Sequence, residues 1–197
     1  MPRFRRRPFR RPRRSGFIRH AGRRPRPLAR RAMRRLREAN ALLARGEFSD
    51  AALILEGLAN QAADRGVDRA PNLALQAARA WLEAGEIERG MQMTRMALQY
   101  MHRTGQLRKL NKLSGRIVAE LKSRGLAQEA TAIEAEIKEM LAGVDTSAFQ
   151  PVQAGKPANL PAKCPQCGGN VRRDEVEWID ATSAECDYCA SVLVQEG

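Results

Sequence analysis

The sequence predicts a mainly α protein, with three helical hairpins stacked as a short α-solenoid and a small β module after them. Three observations carry this reading. A glycine-led turn occurs three times, as Gly46-Glu47-Phe48-Ser49-Asp50-Ala51, Gly85-Glu86-Ile87-Glu88-Arg89-Gly90 and Gly125-Leu126-Ala127-Gln128-Glu129-Ala130. Its glycines stand 39 and 40 residues apart, each between two segments of helical periodicity. All four cysteines lie after residue 163, in two C-x-x-C pairs. Charge also divides the chain. Residues 1–37 hold 17 Arg, no Lys and no acid, whereas the rest has 18 Lys+Arg against 22 Asp+Glu, a net of −4.

Residues 1–27 form an Arg-rich arm that is expected to be disordered. Its five prolines, its mutually repelling arginines and a few scattered apolar residues (Phe4, Phe9, Phe17, Ile18) bury too little surface to repay ordering. A strongly basic arm on a mildly acidic body points to a polyanion, either nucleic acid or an anionic membrane. The candidate polyanion-binding residues are Arg3, Arg5, Arg6, Arg7, Arg10, Arg11, Arg13 and Arg14 of the arm, with Arg30, Arg31, Arg34 and Arg35 beyond it. Guanidinium groups pair with phosphate, and with Phe4, Phe9 and Phe17 between them they stack on bases, which suits RNA. Such binding is largely independent of sequence and weakened by salt.

The helical-repeat domain is expected over residues 28–142. Pro27 suits a first helical position, where its missing N–H costs nothing. The first helix runs from about Leu28 to Arg45, with Ala29, Ala32, Met33, Leu36, Ala39 and Leu43 as an apolar stripe. Arg30, Arg31, Arg34, Arg35 and Arg37 fall largely off it; they either extend the arm's field or form a solvated face. The second helix carries Phe48, Ala51, Ala52, Leu55, Leu58, Ala59 and Ala62 on one face and closes at Gly66. The second hairpin pairs Leu73–Ala84 with Ile87–His102, with Trp81 and Leu82 near its turn. The third pairs Leu107–Arg124 with Leu126–Leu141. Arg108, Lys112 and Arg116 share a helix face that reads as solvated. No single hairpin buries both of its faces; stacking makes one core. Residues 143–163, punctuated by Gly143, Pro151, Gly155, Pro157 and Pro161, read as a linker in which Phe149 and Leu160 could dock locally.

A Gly, an acid, a large apolar residue, two variable residues and an Ala between amphipathic helices resembles the tetratricopeptide repeat. Gly46 to Ala51 carries this pattern. The second copy has Gly90 in place of Ala, and the third has Leu126 and Ala127 in place of the acid and the aromatic residue. The resemblance covers roughly residues 30–142 and implies a solenoid whose first helices line a peptide-binding groove. The spacing, longer than the family's 34, implies longer helices or loops.

Cys164-Pro165-Gln166-Cys167 and Cys186-Asp187-Tyr188-Cys189 are separated by 18 residues. Each pair presents two sulfurs from one tight knuckle, and four thiolates complete a tetrahedron around Zn²⁺. Disulfides, rubredoxin-like iron and a redox C-x-x-C are the weaker alternatives. Residues 164–197 resemble a zinc ribbon. Gly168 follows the first pair as expected, while Ala190 stands where the second knuckle often has Gly. Val171, Val176, Trp178 and Ile179 favour strands, as do Val192, Leu193 and Val194. So short a segment needs the ion to fold, so one structural Zn²⁺ is expected, and loss of one cysteine should unfold the module and leave the helices intact. Arg172, Arg173 and Trp178 could touch a partner. The module's acids favour a protein over a nucleic-acid backbone.

No enzyme is expected. His20 lies in the arm, His102 near a helix end, and no phosphate-cradling glycine loop is present. No small-molecule substrate is implied. Nor does any apolar run reach the ~20 residues of a membrane span, and the chain reads as cytoplasmic. The leading reading is a non-catalytic adaptor, its helical stack and ribbon holding proteins and its arm holding nucleic acid, RNA above all. Two others stand beside it. One is a structural subunit whose arm docks on an acidic partner; the other is a peripheral adaptor on an anionic membrane.

Overall fold

The computed structural model describes residues 27–146, 159–173, 176–180 and 182–194. Arg3, Arg5, Arg6, Arg7, Arg10, Arg11, Arg13, Arg14 and Phe149 lie outside them. The architecture is mainly α, with paired helices and a three-stranded β module beside a cysteine cluster. The helices are α1 (Pro27–Arg45), α2 (Phe48–Asp64), α3 (Ala70–Glu83), α4 (Ile87–Arg103), α5 (Leu107–Ser123) and α6 (Ala127–Met140).

The three repeated turns close identically. Gly46, Gly85 and Gly125 take φ of 78°, 80° and 80°, the left-handed conformation that glycine adopts without a Cβ penalty. The residue after each glycine then donates its N–H back to the helix just ended: Glu47 to the Leu42 carbonyl (3.0 Å), Glu86 to Trp81 (2.9 Å) and Leu126 to Leu121 (3.0 Å). This satisfies carbonyls left free at a helix end. The α4–α5 connection repeats the device, with Gln106 N–H on the Met101 carbonyl (2.8 Å). Junctions between pairs are therefore built like the turns within them.

Gly90 replaces the repeat's alanine for a steric reason. Ala51 and Ala130, at the equivalent positions, are fully buried. At Gly90 a Cβ would lie 2.8 Å from Leu82 Cδ2 and Cγ and 3.2 Å from the Ala78 carbonyl oxygen. A side chain there would have to displace Leu82 and press on the Ala78 carbonyl.

Helix α3 is the hub. Every residue from Ala70 to Ala78 is buried, because α2 and α4 flank it and the β module covers a third side. Trp81 ties three helices together. It is buried, its Nε1 donates to Glu56 of α2 (2.8 Å), and Arg89 of α4 stacks 3.6 Å above its ring. Arg79 and Arg124 join α3 to α5 through Glu120 (3.0 Å) and Glu83 (2.8 Å), and Arg95 joins α4 to α6 through Glu136 (2.8 Å). Burial raises the Glu120 carboxyl, but Arg79, Arg172 and Arg124 outweigh it and hold the group below its ordinary range.

The β module differs from expectation in its strands. They are β1 (Glu177–Trp178), β2 (Ser183–Glu185) and β3 (Val192–Val194), antiparallel in the order β1-β2-β3. Val171, Val176 and Ile179 lie outside them. Val171 instead donates its N–H to the Ala162 carbonyl (2.9 Å) beside the antiparallel bridge of Lys163 with Asn170, and Val176 donates to the Arg172 carbonyl in a turn (3.1 Å). Ile179 bonds the Ser183 carbonyl (3.0 Å) at the β1–β2 turn and is 57% exposed. The central strand is the polar Ser183-Ala184-Glu185, paired on both sides. Leu160, Cys164, Cys167, Val176, Ala184, Cys186 and Leu193 join the helices in one apolar core.

Candidate metal centre

The two C-x-x-C segments fold as matched knuckles. In the first, Gly168 N–H donates to the Cys164 carbonyl (2.8 Å) and Cys164 N–H to the Gly169 carbonyl (2.8 Å). In the second, Ala190 N–H donates to Cys186 (3.0 Å) and Cys186 N–H to Ser191 (2.9 Å). The register is the same, and it needs a left-handed residue just after each pair. Gly168 supplies it at φ 76°, and Ala190 adopts it at φ 65°, the one non-glycine with positive φ among the described residues. The expected departure at Ala190 is thus real: the backbone keeps the glycine conformation and bears the Cβ clash.

The knuckles bring Cys164, Cys167, Cys186 and Cys189 together, with all four Sγ atoms within 4.8 Å of one another. Cys164 and Cys189 are 3.7 Å apart, Cys167 and Cys186 3.8 Å. A tetrahedron with metal–sulfur bonds of about 2.3 Å has edges of about 3.8 Å. The four residues could therefore chelate one metal ion. Their protonation shows why a cation suits them. Hydrogen bonds to Cys186 and Cys189, then burial, hold the Cys167 thiol well above its ordinary value. The bond to Cys167 lowers Cys186, but its bond to Cys189 and burial prevail and push it up to about 12. Cys189, receiving hydrogen bonds from Cys167 and Cys186, is held well below. A central cation would stabilise thiolates at these sulfurs. Ser191 Oγ, 3.2 Å from Cys164 Sγ and 3.0 Å from Cys189 Sγ, is placed to donate to a thiolate.

Helices α1, α3 and α5 hold this centre from below, largely through main-chain carbonyls. Arg37 Nε donates to the Gln166 carbonyl (2.5 Å) and Asn40 Nδ2 to Cys167 (2.9 Å). Arg69, the N-cap of α3, donates to the Cys186 carbonyl (2.5 Å) and pairs with Glu185. Asn72 Nδ2 donates to Asp187 (2.9 Å). Lys112 Nζ reaches the Val176 carbonyl at 3.5 Å. Burial against the module lowers the Lys109 ammonium, while the module's Asp187 and Glu177 attract it. Gly169 sits between Asn40 and the Tyr188 ring, where a Cβ would lie 2.7 Å from Tyr188 Cδ2. The face lined by the first helix of each pair, expected as a peptide groove, is thus filled by the chain's own C-terminal module. Lys112 touches the module but stays exposed, as does Arg108, so the expected solvated face holds for these two, while Arg116 is half-buried.

Asn40, Asn72, Gln76 and Ser191 were not singled out from sequence. A signal existed for three of them. Asn72 and Gln76 are an i, i+4 amide pair in a helix otherwise rich in Ala and Leu, and Asn40 sits beside the α1 stripe. All three are buried, and Gln76 Nε2 donates to Asn40 Oδ1 (2.8 Å). The candidate polyanion-binding arginines of α1 are elsewhere: Arg30, Arg31 and Arg34 are exposed and Arg35 is half-buried. His102 is exposed on α4, and no helix of the described residues is long and apolar enough to cross a membrane. Compared with known protein families, curated protein sequences and solved structures, the chain matches none.

Proposed function

We propose that the chain is a non-catalytic cytoplasmic adaptor. Its tetratricopeptide-like helical pairs and zinc-ribbon-like module bind protein, and its Arg-rich arm with α1 binds nucleic acid, RNA above all. The ion is one structural Zn²⁺ on Cys164, Cys167, Cys186 and Cys189. Four protein sulfurs leave no open position for chemistry, and their separations suit zinc.

The observation that carries the nucleic-acid reading is how the arginines are partnered. Arg79, Arg89, Arg95 and Arg124 each pair with a glutamate on a neighbouring helix. Among the described residues, Arg30, Arg31, Arg34 and Arg35 pair with no carboxylate, and they continue an arm free of acids. These four body arginines are neutralised by glutamates, whereas the four of α1 are not.

The test is titration of the full chain with a generic RNA and a generic duplex DNA at several salt concentrations. The reading expects affinity to fall steeply with salt, by close to one log unit per log of salt for each phosphate contacted. Weak binding that ignores salt would refute it and leave the arm as a docking peptide for an acidic protein.

A further inference from the structure

A cavity of about 260 Å³ opens between the start of α1 and the end of α2, lined by Arg31, Ala32, Arg35, Leu58, Gln61 and Arg65. Arg31 and Arg35 are one helical turn apart on the same face. Arg65, the C-cap of α2, comes from the opposite wall because the two helices run antiparallel. Among the described residues none of the three arginines meets a carboxylate, unlike those that join α3 to α5 and α4 to α6. The Arg35 fork lies across Gly57 of α2, with its Nη2 3.5 Å from where a Cβ would stand. Any side chain larger than alanine there would contest the guanidinium's place. Three cations around one cavity repel each other, and an anion in it would relieve that repulsion with charge-assisted hydrogen bonds. The Gln61 amide adds a neutral donor, and Leu58 and Ala32 supply apolar walls.

We infer that this cavity is a phosphate seat, in which Arg31, Arg35 and Arg65 hold one phosphodiester of a nucleic-acid strand that continues toward the arm. The seat rests on the nucleic-acid reading for its carrier and goes beyond it in assigning Arg65 and Gln61. It gives an otherwise diffuse basic field one fixed point on the folded body, where the strand's register is set.

Two full-length double variants test this: Arg35→Gln with Arg65→Gln, and Arg30→Gln with Arg34→Gln, which removes the same charge from α1 outside the cavity. A generic single-stranded RNA is titrated at several salt concentrations, and thermal melts confirm folding. In parallel, the arginine Nε–Hε NMR signals of the wild-type chain are followed with inorganic pyrophosphate. The cavity variant is expected to weaken RNA binding roughly tenfold and to lower the salt slope by about 0.7, the share of one phosphate on a single strand, with the second variant losing clearly less. Equal losses in both variants would overturn the seat and leave nucleic-acid binding in place. If the wild-type chain ignores RNA while pyrophosphate saturably shifts Arg31, Arg35 and Arg65, the seat stands and its nucleic-acid carrier falls. No RNA binding and no shift would overturn both.

Discussion

Asn40→Ala tests how the helices hold the metal centre. Asn40 is 7% exposed. Its amide donates to the Cys167 carbonyl at 2.9 Å and accepts from Gln76 at 2.8 Å. Truncation leaves a knuckle carbonyl and a buried amide N–H without their partner. It falls hardest on Gln76, whose buried Oε1 already lacks one. Each buried group left unpaired costs about 1–3 kcal/mol, and the gain in helix propensity from Asn to Ala returns only about 0.6 kcal/mol. The net expectation is a loss of about 1.5–5 kcal/mol, read by urea unfolding of the metal-loaded chain. Gln76→Ala should cost less, and the double variant should fall short of the sum by about 1 kcal/mol, because the second substitution removes a group the first had stranded. A loss under about 0.5 kcal/mol, the scale of ordinary surface substitutions, would refute this account of Asn40.

Three further outcomes follow from local geometry. Gly90→Ala should destabilise by about 1–2 kcal/mol in thermal unfolding, since its Cβ would meet Leu82 at 2.8 Å and overpacking outweighs the propensity gain; a stabilised variant would show that the α3–α4 approach relaxes freely. Ala190→Gly should stabilise by about 0.5–1 kcal/mol, because the residue sits at φ 65°, and Gly168→Ala should do the reverse; the matched knuckles make this a paired test by denaturant titration. Asp180 accepts from Ser183 Oγ (2.7 Å), Thr182 N–H (2.8 Å) and Ser183 N–H (2.8 Å), which lowers its pKa from 3.8 to about 2. Because the folded value is depressed, its contribution is complete above pH 3.8 and is lost as pH falls through about 2. Side-chain carboxyl NMR should give that midpoint, and a midpoint near 3.8 would refute the turn.

The helices were legible because their signals are local. A glycine that needs positive φ and an apolar stripe of period 3.6 are written within one segment, and the six helices begin and end within a few residues of where those signals fall. The cysteine set was legible for the same reason, since ligand spacing inside each knuckle is a property of four residues. What sequence did not yield depends on packing between segments. Ser183-Ala184-Glu185 has no strand signature of its own and becomes the central strand because β1 and β3 flank it. Gly90 read as a departure from the repeat until the Leu82 contact explained it. The docking of the module on α1, α3 and α5 was hidden too, because its acceptors are main-chain carbonyls, and any residue supplies a carbonyl.

Docking through carbonyls has a thermodynamic consequence. The carbonyls of Gln166, Cys167, Cys186 and Asp187 are aimed by the knuckle backbones, and an ion joining the four sulfurs would hold those backbones in shape. The helices therefore recognise a conformation that the ion would stabilise, so docking and ion binding are linked equilibria. Linkage is reciprocal: if the ion strengthens docking by some factor, docking strengthens ion binding by the same factor. Asn40→Ala, which touches no sulfur, should then lower metal affinity as well as stability, measurable by competition with a chromophoric chelator. The expectation that losing a cysteine leaves the helices untouched needs amending on the same ground. The helices would persist, but Leu160, Val176, Ala184 and Leu193 would no longer complete their core, and the buried row Asn40, Asn72 and Gln76 would meet water.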